Sequence, residues 1–158
     1  MTAITIVPID PTVLRQVRTS GVDMLGRPAE WFIDHDGGNQ VRCCLTKSRP
    51  GERIGLISHR PLEVERPWAE VGPVYIHADT CPVDADTIPF PDWLDLSARV
   101  LRAYDASGAM IYAANRIVQA GDGVEAALKD ILSDPMITEV HIRNLVEQCF
   151  IAKAVRTD

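Results

Sequence analysis

The sequence has few aromatic residues and no long hydrophobic segment. Phenylalanine, tryptophan and tyrosine make up 6% of the 158 residues, so we expect a core of mainly aliphatic side chains. No apolar run approaches the roughly 20 residues that are needed to span a bilayer. The segment from Met1 to Pro8 also lacks the basic residues and long apolar stretch of a signal peptide. These absences predict a cytoplasmic protein that does not interact with membranes.

The sequence also lacks an excess of positive charge. Its 16 lysine and arginine residues are outnumbered by 22 acidic residues, which gives a net charge of −6. Proteins that bind nucleic acids usually present a basic surface, so the composition argues against nucleic acid as a partner. A glycine-rich phosphate loop is missing as well, because Gly121-Asp122-Gly123 lacks the surrounding residues of a P-loop or a dinucleotide-binding motif.

The length and the hydrophobic content of 46% predict one domain that extends from residue 1 to residue 158. In the first half, Asp10-Pro11 is typical of a helix N-terminus, because aspartate is a good N-cap and proline suits the first helical position. Turn signals at residues 36–39 and 48–51 separate short strands, one of which we place at residues 41–45.

The second half has a more regular pattern. We predict strands at residues 99–104 and 110–118, a helix that begins at Asp122, and strands at residues 137–143 and 149–155. Asp122 lies three residues before Glu125, which is close to a capping-box pattern. The chain therefore predicts an α+β fold with a mainly antiparallel sheet, a helix packed on one face and a C-terminal β-β-α-β-β order.

Four blocks of residues carry a family resemblance: 41–45 followed by Pro50-Gly51-Glu52, 69–78 with Cys81, 101–105, and 140–144 with Cys149, Phe150 and Arg156. In these blocks, over about residues 41–156, the chain resembles the bacterial family called domain of unknown function 1203. The resemblance implies no activity, cofactor or catalytic residue. Functional hypotheses therefore depend on the residues themselves.

The first hypothesis is a site for a small anionic ligand. Arginine is costly on the inner face of a strand unless it meets a carboxylate or an anionic ligand. We predict that the ligand is bound by Arg42, Arg102, Tyr104 and Arg143, and that His77 acts as the acid–base or hydrogen-bonding group. This hypothesis requires no cofactor. In the alternative, the same residues form structural ion pairs with Glu52, Glu70, Asp79, Asp105 and Glu139.

The second hypothesis is a non-catalytic metal site. His77 and Cys81 are four positions apart, which is a tolerable spacing for two zinc ligands. The ligand set would be Cys44, His77, Cys81 and Cys149. Cys43 is left out of this set, because neighbouring residues of a strand face opposite sides and cannot easily direct both sulfurs to one ion. Against this hypothesis, reduced cysteines are often simply buried in the core.

Two further possibilities remain open. A cysteine activated by His77, with Glu70 to orient the imidazole, would make a thiol catalyst. A protein-interaction or structural module would instead use the loops that carry Trp68 and Trp93. Both an enzyme and a non-catalytic protein are compatible with these residues, and no feature of the sequence indicates an oligomeric state.

Overall fold

The computed structural model describes residues 2–157, which form two five-stranded β-sheets and two α-helices. The strands are β1 (Ile4–Val7), β2 (Glu30–Asp34), β3 (Gln40–Val41), β4 (Thr46–Lys47), β5 (Glu52–His59), β6 (Gly72–His77), β7 (Arg99–Tyr104), β8 (Arg116–Val118), β9 (Glu139–Asn144) and β10 (Phe150–Arg156). The helices are α1 (Pro11–Ser20) and α2 (Val124–Ile131). The predicted α+β class and the C-terminal β-β-α-β-β order are confirmed. None of the described helices is long and apolar enough to cross a membrane.

The first sheet has the strand order β1-β10-β9-β7-β8, and all of its neighbouring strands are antiparallel. Helix α2 packs against this sheet. Its apolar residues Val124, Leu128 and Ile131 are buried at helical spacing, and they belong to the same core as Leu101 and Ile142 of the central strands. This aliphatic core matches the low aromatic content of the chain.

The second sheet has the strand order β2-β5-β6-β3-β4. Strand β3 pairs with β6 in parallel, whereas the other neighbours in this sheet are antiparallel. Helix α1 belongs to the core of this sheet, because Leu14 and Val17 are buried with Val41, Val74 and Ile76. The sequence predicted antiparallel strands here but not their separation into a second sheet.

The N-terminal helix begins as its sequence predicts. The Asp10 side chain accepts a hydrogen bond from the Thr12 amide at 2.7 Å, and Pro11 occupies the first helical position. The helix ends at Gly21, whose φ of 75° lies in the left-handed region that favours glycine. These caps fix the direction of α1, which places Arg18 in its last turn beside the end of β6.

The predicted strand at residues 41–45 is wrong beyond Val41. Residues 42–45 form a turn that is closed by a hydrogen bond from the Leu45 amide to the Val41 carbonyl at 3.0 Å. Leu45 has a φ of 57°, a conformation that a leucine rarely adopts. Its side chain is buried in the core of the first sheet, and its carbonyl accepts a hydrogen bond from the Trp93 indole at 2.9 Å. Tertiary contacts thus outweigh the local preference for a strand.

Two boundaries in the second half also differ from the prediction. Helix α2 begins at Val124 rather than at Asp122. Its N-cap residue is Gly123, which provides no side-chain hydrogen bond to the helix. The carboxylate of Asp95 instead accepts a hydrogen bond from the Val124 amide at 2.7 Å, so the cap comes from a residue distant in the sequence. Residues 110–118 contain a short 3₁₀ helix (Tyr112–Ala114) before β8 rather than one continuous strand.

Candidate functional site

The turn at residues 42–45 places two adjacent cysteine side chains at the end of β6. Both Cys43 and Cys44 are buried, and the turn frees them from the alternation of a strand. The Cys43 sulfur accepts a hydrogen bond from the His77 amide at 3.3 Å. The Cys44 sulfur lies 3.2 Å from Nε2 of His77. The two sulfurs therefore contact the same histidine, whereas a strand could not easily have directed both of them to one point.

Four side chains converge here, and we name them the Cys/His cluster: Cys43, Cys44, His77 and Cys81. Their sulfur and nitrogen atoms all lie within 4.8 Å of one another. In a tetrahedral zinc site the zinc–sulfur bonds are about 2.3 Å, which puts neighbouring sulfurs about 3.8 Å apart. The cluster thus has the ligand types and nearly the spacing of a Cys₃His zinc site. All four cysteines of the chain are free thiols.

A carboxylate holds the imidazole of His77 from the opposite side. Oε1 of Glu52, the first residue of β5, lies 2.9 Å from Nδ1 of His77. This contact makes Nδ1 the protonated nitrogen and leaves Nε2 to face Cys44. Histidines that bind metals commonly make this contact with a carboxylate, because it fixes the ring and increases its basicity. The imidazole is therefore already oriented for a ligand at Nε2.

Arg18 of α1 links the helix to the same cluster. Its guanidinium donates two hydrogen bonds to the His77 carbonyl, both at 3.1 Å, and one to the Cys81 sulfur at 3.5 Å. Three thiolates and a zinc ion would carry one net negative charge. A nearby guanidinium offsets that charge, so Arg18 suits a thiolate-rich site.

The pKa shifts within the cluster favour one thiolate even when no metal ion is bound. Hydrogen bonding with Cys43 and Cys81 lowers the pKa of the Cys44 thiol well below its usual range. The same hydrogen bond to Cys44 raises the pKa of Cys43, which therefore keeps its proton. The hydrogen bond to Cys44 also raises the pKa of His77 above its ordinary value. Within the cluster, Cys44 is thus the thiol that loses its proton most readily.

The structure brings together only part of the metal-ligand set that the sequence predicted. Cys44, His77 and Cys81 are in the cluster, but Cys149 is not, and Cys43 takes its place. The Cys149 sulfur instead lies 3.6 Å from the backbone carbonyl of Glu147, near the start of β10. Sequence reasoning missed Cys43 because it assumed a strand at this position.

The residues of the predicted anion site do not share one pocket in the structure. Arg102 and Arg143 both contact the carboxylate of Glu70, and the Arg143–Glu70 distance is 3.3 Å. Both guanidiniums also donate to Gln148. Tyr104 lies beside them, fully buried, and its hydroxyl has no hydrogen-bond partner among residues 2–157. The alternative hypothesis of structural ion pairs had named Glu70 as one of the carboxylate partners of these arginines.

Arg42 and His77 lie away from that group. The Arg42 guanidinium donates to the Phe150 carbonyl at 2.7 Å and to the Gln40 carbonyl. His77 belongs to the Cys/His cluster. The structure therefore separates the predicted anion site into three environments. Glu52 and Arg18 contact the Cys/His cluster, yet neither was predicted from the sequence to be a site residue. Only Glu52 had been named, as an ion-pair partner.

The fold and the site define an α+β protein of two sheets with a buried group of three cysteines and one histidine. Residues 38–156 match the family described as Protein of unknown function (DUF1203), so the chain belongs to this family. The resemblance stated from the sequence is confirmed. Comparison with the curated proteins and with the solved structures found no match.

Proposed function

We propose that the protein binds a zinc ion through Cys43, Cys44, His77 and Cys81. The observation that carries this proposal is the convergence of three sulfur atoms and one imidazole nitrogen within 4.8 Å. Thiolate and imidazole ligands favour zinc over hard cations such as magnesium or calcium. The contacts of Glu52 with His77 and of Arg18 with Cys81 support the proposal, because they orient one ligand and offset the charge of another.

The proposed ion has a structural role. Four protein ligands complete a tetrahedral site and leave no open position for a substrate, as in structural zinc sites generally. The ion would join the turn at residues 42–45, the end of β6 and the loop that carries Cys81. It would thereby hold Leu45 in its unfavourable backbone conformation.

A thiol catalyst is the second candidate. Cys44 contacts His77 and His77 contacts Glu52, which is also the arrangement of a nucleophile, a base and a carboxylate that orients the base. Burial argues against it. Cys44 is 2% exposed and His77 is 5% exposed, so a substrate has no direct approach to the sulfur. A closed metal site requires no such approach.

The test is the metal content of protein purified without a chelator or an affinity-tag metal, measured by mass spectrometry. We expect about one zinc per chain for the wild type, much less for Cys81→Ser, and the wild-type amount for the matched control Cys149→Ser. Cys81 is only half-buried, so serine is tolerated there. A wild-type protein that stays free of metal after incubation with zinc would overturn the proposal.

Alkylation separates the two candidates. Zinc-bound thiolates react slowly, so removal of zinc by a chelator should increase the rate at which iodoacetamide modifies Cys81, the half-buried cysteine of the Cys/His cluster. A catalytic Cys44 would react quickly in the purified protein, whether or not a chelator is present. Peptide mapping assigns the modified cysteine in each case.

A further inference from the structure

A second site lies between the two sheets, apart from the Cys/His cluster. It is a cavity of about 700 Å³ lined by residues of β3, β5 and β6 from one sheet and of β7 and β9 from the other. This volume is in the range of small-molecule sites in proteins. Its wall includes two arginines, Arg42 and Arg99, which are 4% and 2% exposed. We name this space the inter-sheet cavity.

Neither arginine has a carboxylate partner among residues 2–157. Arg42 donates only to backbone carbonyls, those of Phe150 and Gln40. Arg99 donates to the backbone carbonyls of Leu94 and Trp93 and to the side-chain oxygen of Asn144. An arginine stays charged at any physiological pH, and a buried charge is costly unless it is paired. The cavity wall thus holds two buried positive charges that no described carboxylate contacts directly, and Glu147 and Asp95 act on them only from a distance.

The arginines also have unused donors. The Nη2 group of Arg42 makes no hydrogen bond with any described residue, although a guanidinium offers five N–H donors in a planar fork. Arg99 is held firmly, since Nε, Nη1 and Nη2 each donate and its guanidinium lies 5.6 Å from the Trp93 ring centroid. Both side chains are therefore positioned before any ligand arrives.

The rest of the cavity wall is mixed in character. Leu56, Val74 and Leu145 give it an apolar part, whereas Gln40 and Tyr75 add polar groups. Glu147 is the one carboxylate among the described lining residues, and it is exposed at the rim and forms no ion pair there. The wall therefore suits a ligand with an anionic head and an apolar body.

We propose that the inter-sheet cavity binds a small organic anion, whose carboxylate or phosphate group is held by Arg42 and Arg99. The apolar body packs against Leu56 and Val74. Bidentate contacts from arginine are the usual means of recognising such groups. This site differs from the anion site predicted from the sequence, because it keeps only Arg42 of that set and adds Arg99. It does not include Arg102, Tyr104, Arg143 or His77. The proposal does not depend on the zinc site.

Calorimetric titration with matched probes tests the chemistry of the site. Benzoate and phenyl phosphate carry the two anionic heads on one apolar body, and benzamide is the neutral control. We expect at least one of the two anions to bind about tenfold tighter than benzamide or more. The neutral head of benzamide cannot form the charge-assisted hydrogen bonds that an anion forms with the arginines. The stronger anion identifies the head group. Absence of binding by both anions up to about 10 mM would overturn the proposal.

Variants then place the binding in the cavity. Arg99→Met should weaken binding of the anions by about tenfold or more. Because this variant could unfold, Glu147→Lys provides a second test at an exposed residue. We expect it to tighten binding of the anions about two- to fivefold, the size of a rim charge effect, and to leave benzamide unchanged.

The matched control is Glu65→Lys, which makes the same change of charge at an exposed residue that does not line the cavity. A tightening by Glu147→Lys that does not exceed that of Glu65→Lys would show binding elsewhere and contradict the proposal. Affinities of benzoate and phenyl phosphate that both equal that of benzamide would also contradict it. These binding measurements do not depend on the metal content of the protein. A negative result for the inter-sheet cavity therefore does not contradict the zinc proposal, and a metal-free protein does not contradict the cavity proposal.

Discussion

At the scale of single residues, the backbone conformation of Leu45 decides what the neighbouring cysteines can do. With φ at 57°, residues 42–45 turn instead of extending, and both cysteine sulfurs point to His77. In a strand, only one of the two would face that histidine. The sequence Arg-Cys-Cys-Leu has no glycine, proline or asparagine to signal a turn. The fourth member of the cluster was therefore not predictable from local preferences.

Glu52 shows how one contact can tune the proposed zinc site. Replacement of Glu52 by glutamine keeps the size of the side chain but removes the charge opposite Nδ1 of His77, 2.9 Å away. If zinc binds as proposed, we expect its affinity to fall about tenfold, since loss of a group that supports a metal ligand has effects of this size. Competition with a chromophoric chelator measures the change.

Glu30→Gln is the matched control for this substitution, because Glu30 is exposed on β2 and does not contact the Cys/His cluster. We expect it to bind zinc like the wild type. Equal affinities for the wild type and for Glu52→Gln would mean that the carboxylate only stabilises the turn at residues 49–52, where Oε2 also accepts a hydrogen bond from the Arg49 amide at 2.8 Å.

At the scale of elements, β5 is the strand that brings the second sheet together. It pairs with β2 on one side and β6 on the other, and it begins with Glu52 beside the site. Gly55 at its centre lies opposite Trp31, whose ring covers the glycine and also contacts the guanidinium of Arg53. A side chain at residue 55 would therefore collide with the indole.

We predict that Gly55→Ala destabilises the protein by about 1–3 kcal/mol, the usual range for overpacking. A Cβ atom at residue 55 would lie well inside the van der Waals contact distance from Cζ3 of Trp31. Urea denaturation measures the free energy of unfolding. Gly72→Ala in β6 is the control, because a Cβ there meets no atom within 4 Å. A loss that is the same for both variants would show that the indole moves aside freely.

The two helices show when local sequence signals are sufficient to predict where a helix begins. Asp10-Pro11 and Gly21 determine the ends of α1 through contacts within a few residues, and the sequence alone predicted how this helix begins. Helix α2 begins through Asp95, which lies 29 residues before Val124. A cap of this kind depends on the fold, so sequence reasoning placed the helix start at Asp122 instead. Local capping was predictable, whereas capping from a distance was not.

At the scale of the whole molecule, the class of fold was predictable and the division into two sheets was not. Alternation and turn signals predict strands, but they do not say which strands pair. The second sheet depends on the parallel contact of Val41 with Tyr75 and on the two-residue strands β3 and β4, which are too short to give a pattern. The Cys/His cluster and the inter-sheet cavity both depend on this pairing.

The two sheets also meet around Phe150 of β10. Its ring centroid lies 5.7 Å from that of His59 in the second sheet and 5.4 Å from that of His141 in the first. Burial lowers the pKa of His59 to about 4, and the positive charges of His141 and Lys153 contribute. Glu63 and Glu139 face Lys153 from the other side, at 3.3 and 3.6 Å. His59 is therefore neutral in the folded protein at neutral pH.

This junction predicts a loss of stability in mild acid. An unfolded histidine titrates near pH 6.5, so between about pH 6.5 and pH 4 the unfolded chain takes up a proton at His59 that the folded protein does not. The free energy of unfolding therefore falls as the pH falls through this window, with a slope from this residue of at most about 1.4 kcal/mol per pH unit. Below the folded pKa both states are protonated, and the contribution of His59 stops changing.

The variant His59→Gln removes this proton uptake but keeps a polar side chain. We expect its stability to depend less on pH than that of the wild type between pH 6.5 and pH 4, when urea denaturation is compared at several pH values. His35→Gln in the exposed turn after β2 is the control and should keep the wild-type slope. Parallel pH profiles for His59→Gln and the wild type would mean that His141 or the acidic residues account for the acid sensitivity. The difference in slope therefore measures how strongly one half-buried histidine couples the packing of the two sheets to pH.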